Sequence, residues 1–87
     1  MSTLPDKPAL SRVFRMQWEE AQNNYVLLYP EGMVKLNGSA AEILKRCDGT
    51  RSVPAIVAEL EEAFSTRGLQ DDVDAFLHAA GERGWLG

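Results

Sequence analysis

One histidine and one cysteine in 87 residues are too few for most site chemistry. A structural zinc centre takes four Cys or His ligands, so that class is excluded. Cys47 has no second cysteine to pair with inside the chain, which fits a reducing, cytoplasmic setting. Positive charge is scarce too: nine Lys and Arg against thirteen Asp and Glu leave a net charge of -4. Phosphate contacts draw on a surplus of Lys and Arg, so non-specific nucleic-acid binding is disfavoured. No apolar run approaches the roughly 20 residues of a membrane span, and Met1–Leu10 lacks the apolar centre of a secretory signal. P-loop, GxGxxG and GxSxG motifs are missing, as are internal repeats and low-complexity tracts.

What remains is an ordinary globular composition, 45% apolar and 25% charged, in a chain long enough for one domain and too short for two. Residues 1–11, with Pro5 and Pro8 among small polar residues, read as a mobile tail, and residues 12–87 as a single domain. Phe14, Met16 and Trp18 alternate with Arg15, Gln17 and Glu19, the period of a half-buried strand. Glu20–Asn24 is polar and marks a loop. Tyr25–Tyr29 is apolar or aromatic throughout, as a central strand is. Pro30 sets the first corner of the next turn, with Gly32 available as a left-handed residue that closes it into a bulge. Met33–Leu36 then returns as a third strand, with Val34 and Leu36 on one face and Met33 and Lys35 on the other.

From Asn37 the period becomes helical. Ser39 and Glu42 have capping-box spacing, and Asn37 competes as the cap. Ala40, Ile43, Leu44 and Cys47 make the first apolar face, and Asp48-Gly49 stops the helix. Ser52 caps a second helix with Pro54 in its first turn and Val53, Ile56, Val57, Leu60 and Phe64 as its apolar stripe. A third starts at Asp71 or Asp72, carries Val73, Phe76, Leu77 and Ala80 as its buried stripe, and ends at Gly81 and Gly84. Trp85 and Leu86 fold back as an apolar plug. Three strands followed by three helices define an α+β, winged-helix-like domain.

Candidate chemistry is sparse. His78 is a lone helical histidine, and Cys47 falls on an apolar face as an inert thiol. Glu19-Glu20, Glu61-Glu62 and Asp71-Asp72 are adjacent pairs; neighbours on a helix point about 100° apart and do not face one substrate. The expectation is that the chain is not an enzyme, and that neither metal nor cofactor is used. Trp18, Tyr29 and Trp85 read as core aromatics before recognition aromatics. The sharper feature is the third strand, an open sheet edge that only Lys35 and Gly32 protect.

The stretch VLLYPEGMVKLNGSAAEILKRCDG (residues 26–49), followed by RSVPAIVAELEEAF, resembles the PqqD family of pyrroloquinoline quinone (PQQ) biosynthesis. The resemblance extends from about Arg12 to Trp85, and LLYPEG, LN, the two alanines before Glu42 and CDG carry it. It implies a stand-alone recognition element for a ribosomal precursor peptide (a RiPP recognition element) that acts as a peptide chaperone. Members bind the precursor PqqA and present it to the radical S-adenosylmethionine enzyme PqqE, which joins a Glu and a Tyr side chain. In related domains the peptide adds as a strand between the third strand and the third helix. Carried over, the strand side is Met33, Val34, Lys35 and Leu36. The helix side lies in Val73–Gly81, with Val73, Phe76, Leu77 and Ala80 as candidates.

Two other readings compete. A DNA-binding winged helix needs basic residues on its second or third helix, but Val53–Phe64 has none and the third helix has only Arg83. The second is a structural subunit that stabilises a partner enzyme without touching the peptide. An open edge also predicts weak self-association as a homodimer, through that edge or an exchanged N-terminal segment carrying Leu4 and Leu10.

Overall fold

The computed structural model describes residues 5–87. Strands β1 (Arg15–Glu19), β2 (Asn24–Tyr29) and β3 (Gly32–Lys35) precede helices α1 (Gly38–Lys45), α2 (Val53–Ala63) and α3 (Gln70–Glu82). The sheet is antiparallel in the order β1-β2-β3, so the α+β architecture is as the patterning predicts.

Register assigns the two faces. Met16, Trp18, Tyr25, Leu27, Val34 and Leu36 share one face, and Gln17, Val26, Leu28, Met33 and Lys35 the other. Helices pack on the first of these, while on the second Val26 is fully buried as well. Leu27 and Leu36 join Ile43, Leu44, Ile56, Leu60, Val73 and Leu77 in one core, with α1 packed on β2 and α2, and α2 on α3. Trp18 departs from expectation: it is 46% exposed and packs edge-on against Tyr25 at 5.1 Å between ring centroids. Its alternation is right, but it lies near the Glu19–Asn24 end of the hairpin, at the margin of the core.

Turn chemistry differs from expectation in one detail. Tyr29 pairs directly with Gly32 and the register runs on without a bulge. Gly32 is not among the left-handed glycines, and a Cβ there would lie 3.3 Å from the Tyr29 hydroxyl. Close approach to Tyr29, not a left-handed φ, is what this glycine accommodates.

The competition to cap α1 goes to Asn37, whose side-chain oxygen accepts the Ala40 N–H at 2.7 Å. Glu42 is turned instead towards Lys45 and Arg46, both at 3.1 Å. Ser52 caps α2 by accepting the Ala55 N–H at 3.3 Å. Helix α3 starts at Gln70, without a side-chain cap; the N–H of Leu69, just before it, donates to a Glu61 carboxylate oxygen at 3.0 Å.

The N-terminal boundary also moves. Residues 1–4, and Leu4 with them, lie outside the described residues. From Pro8, however, the chain is stitched to the C-terminus and to the turn after α1, where the sequence suggested a tail up to residue 11. Leu10 N–H donates to Cys47 O at 2.9 Å, Ser11 N–H to Trp85 O at 2.7 Å, Gly49 N–H to Pro8 O at 3.1 Å and Gly87 N–H to Ala9 O at 3.0 Å. These partners are distant in sequence, so local composition could not reveal them. Trp85 is buried as expected of the plug, against Phe76 at 6.4 Å.

Candidate functional site

Among the described residues strand β3 has one neighbour, β2, and its other side is a sheet edge. Which backbone groups point out from that edge follows from the pairing. Leu36 N–H donates to Tyr25 O at 3.0 Å, so Tyr25 and Leu36 face each other as a hydrogen-bonded pair. Such pairs alternate in an antiparallel ladder. With Leu27 opposite Val34 and Tyr29 opposite Gly32, Gly32, Val34 and Leu36 bond inward to β2. Met33 and Lys35 therefore direct their N–H and C=O groups outward. Neither makes a backbone hydrogen bond outside the ladder among the described residues.

The side chains of the same segment divide the other way. Leu36 is buried at 2% exposure and Val34 is half-buried, whereas Met33 is 44% exposed and Lys35 is exposed. An incoming strand would thus meet two pairs of backbone groups, with an apolar surface on the helix side and Met33 and Lys35 on the open face. An acceptor edge needs little more than this: backbone bonds for affinity and alternate side-chain positions for selectivity.

The helix candidates separate into two groups. Val73, Leu77 and Ala80 are 2%, 0% and 1% exposed and belong to the core, so they offer almost no surface to a ligand. Phe76 is half-buried and keeps accessible surface beside Trp85. Periodicity selected all four because apolar spacing marks the packed stripe of a helix, and packing uses up the surface that a ligand would need.

A family model described as Coenzyme PQQ synthesis protein D (PqqD) matches residues 24–86. The chain belongs to the PqqD family. Among its relatives in that family, a protein named PqqA binding protein from Azotobacter vinelandii is 59% identical over 86 residues, which cover 98% of this chain and 94% of that one. Another of that name, from Methylococcus capsulatus, is 48% identical over 87 residues, covering 99% and 94%. The chain also resembles the solution NMR structure of the PqqD truncation of Methylobacterium extorquens PqqCD, described as a functional, stand-alone RiPP recognition element. That match has a TM-score of 0.79 at 26% identity, covering 98% of this chain and 95% of the other.

Groups with catalytic potential are dispersed in this PqqD-family domain. Cys47 is buried, donates its thiol proton to Ile43 O at 3.4 Å and is pushed up to about 11 by burial. His78 is exposed on α3. Among the described residues no three His, Cys, Asp or Glu side chains converge in a way that could hold a metal ion, and no helix is long and apolar enough to cross a membrane. The densest charge lies elsewhere: Arg51 bridges Asp48 at 3.0 Å and Glu59 at 2.6 Å, and Arg46 reaches Glu42 at 3.1 Å and Glu59 at 3.4 Å. These pairs clamp α1 and its following turn to α2, and the hydrogen bonds from Lys45 and Arg46 hold Glu42 below the usual carboxylate range.

Proposed function

We propose that this protein binds the precursor peptide PqqA and works as a peptide chaperone in pyrroloquinoline quinone biosynthesis. The peptide adds as a strand to the outer edge of β3, and the domain presents it to the radical S-adenosylmethionine enzyme PqqE. The observation that carries the reading is the β3 edge, with outward backbone groups at Met33 and Lys35 and the half-buried Val34 beside the buried Leu36. The relatives' name, PqqA binding protein, supports the choice of ligand. On the helix side Phe76 offers direct contact, while Val73, Leu77 and Ala80 belong to the core.

The role is non-catalytic on this reading: recognition lies in the domain and chemistry in the partner. Titrating labelled PqqA peptide against this protein alone tests it. Saturable one-to-one binding without PqqE supports the proposal. Absence of binding, with PqqE still needing this protein for activity, would support the structural-subunit reading instead. The same edge is also expected to support weak self-association in the absence of peptide, which sedimentation with and without peptide would reveal as a dimer that the peptide dissociates.

A further inference from the structure

Beyond the end of β3 the surface dips into a cleft of about 420 Å³, within the roughly 300–1,000 Å³ range of ligand pockets. Its walls come from three helices: Gly38 and Ile43 of α1, Leu60 and Phe64 at the end of α2, and Leu69 and Val73 at the start of α3. The Glu61 carboxylate that receives the Leu69 N–H ties the α2–α3 connection in place, so this wall is built and not merely a gap. Phe64 is 55% exposed and lines this apolar recess, so its ring is accessible to a ligand there.

Charge at the mouth has one sign. Asp72 lines it, with Asp71 beside it in the first turn of α3, and no Lys or Arg contributes to the lining. Glu42 also lines it but is occupied by Lys45 and Arg46. An apolar recess with a free carboxylate on its rim suits an apolar side chain with a basic neighbour.

Position relative to β3 says what delivers that side chain. Strand β3 runs from Gly32 to Lys35, and the chain reaches Gly38, on the cleft wall, three residues later. A strand added in the antiparallel sense of this sheet runs opposite to β3. Its residues N-terminal to the paired segment then emerge at the Lys35 end, towards the cleft. We infer that the cleft is a second subsite of the peptide-binding surface, and that it takes an apolar side chain, flanked by a basic residue, from the part of the precursor just N-terminal to the strand paired with β3. This rests on the strand-addition reading, and it adds a specificity element that backbone pairing alone cannot supply.

The test compares two PqqA peptides, full-length and truncated at the N-terminus up to the β3-paired segment, on four proteins: wild type, Phe64→Ser, Asp72→Lys and Gly38→Leu. A Cβ at Gly38 meets nothing within 4 Å, so Gly38→Leu obstructs the cleft without crowding the core. Phe64→Ser and Gly38→Leu are each expected to weaken the full-length peptide about tenfold, as loss of one well-placed apolar contact does. Asp72→Lys should cost about fivefold at low salt and less at high salt. The truncated peptide should bind wild type about as weakly as the full-length peptide binds Gly38→Leu, and should be indifferent to all three substitutions. Thermal midpoints near wild type show that the folds are intact. If full-length peptide shifts β3 amides but binds all four proteins equally, the cleft is not a subsite and strand addition stands. If it binds wild type without touching β3, both readings fall.

Discussion

Proline substitution along β3 separates the two roles of its backbone. Val34 bonds inward to β2, and Lys35 directs its N–H to the open edge. Replacing Lys35 by Pro removes an outward donor and nothing from the β2–β3 ladder, a placement that edge strands tolerate. The preceding residue, Val34, is already extended, as a residue before proline prefers. If the peptide pairs here, one of its carbonyls loses its donor. An unsatisfied, partly buried acceptor costs roughly 1–3 kcal/mol, and at 1.4 kcal/mol per tenfold this is about 5- to 150-fold in Kd. Lys35→Ala controls for the exposed side chain and should stay within about threefold. Val34→Pro does the reverse: it breaks the ladder bond to Leu27 and should lower Tm by at least about 4 °C, the shift that about 1 kcal/mol produces in a domain of this size. Calorimetric titration with PqqA peptide gives the first comparison and thermal melts the second. Equal Kd for Lys35→Pro and Lys35→Ala, both folded, would refute the assignment of the edge.

Three further outcomes follow from the packing and electrostatics. Leu77→Ala should destabilise the domain by about 2–5 kcal/mol because Leu77 is fully buried; chemical denaturation should show that its loss of binding tracks its loss of folding, whereas Phe76→Ala should weaken binding in a folded protein. Asn37→Ala should cost about 1 kcal/mol through loss of the α1 cap, while Ser39→Ala leaves denaturation midpoints unchanged. Cys47, buried and pushed up to about 11, should resist alkylation at pH 8 until the protein unfolds. Its folded-state proton affinity exceeds that of the free thiol, so its contribution to stability holds below about pH 9 and is lost as pH rises towards 11; fast labelling of native protein at pH 8 would contradict the burial.

Elements with a strong local signature were legible in the sequence. The alternation in β1, the apolar run of β2 and the i, i+3, i+4 stripe of α2 each report a face that meets the core, and faces are what periodicity encodes. Other features depend on where elements meet. Pinning of Pro8–Ser11 depends on Cys47–Gly49 and Trp85–Gly87, and the exposure of Trp18 on its place at the margin of the core. Both Asn37 and Ser39 had cap-like spacing, and the decision rests on Glu42 pairing with Lys45 and Arg46 instead of reaching back. The strand side of the candidate site was legible because the alternation along Met33–Leu36 reports its two faces, although the turn before it closes without the expected bulge. On the helix side the same apolar signal marks core and ligand surface, so Val73, Leu77 and Ala80 could not be told apart from Phe76. The cleft was missed because Phe64 completes the α2 stripe, and only the end of the helix, where no partner covers it, reveals its exposure.

The central claim, peptide addition to the outer edge of β3, is tested most directly by backbone amide shifts during titration of isotope-labelled protein with unlabelled PqqA peptide. The account predicts the largest shifts at Met33–Leu36, with Met33 and Lys35 amides gaining protection from solvent exchange and Phe76 on α3 shifting alongside them. Shifts centred on the Glu20–Asn23 turn and α2, with the Met33 and Lys35 amides exchanging as in the free protein, would contradict it.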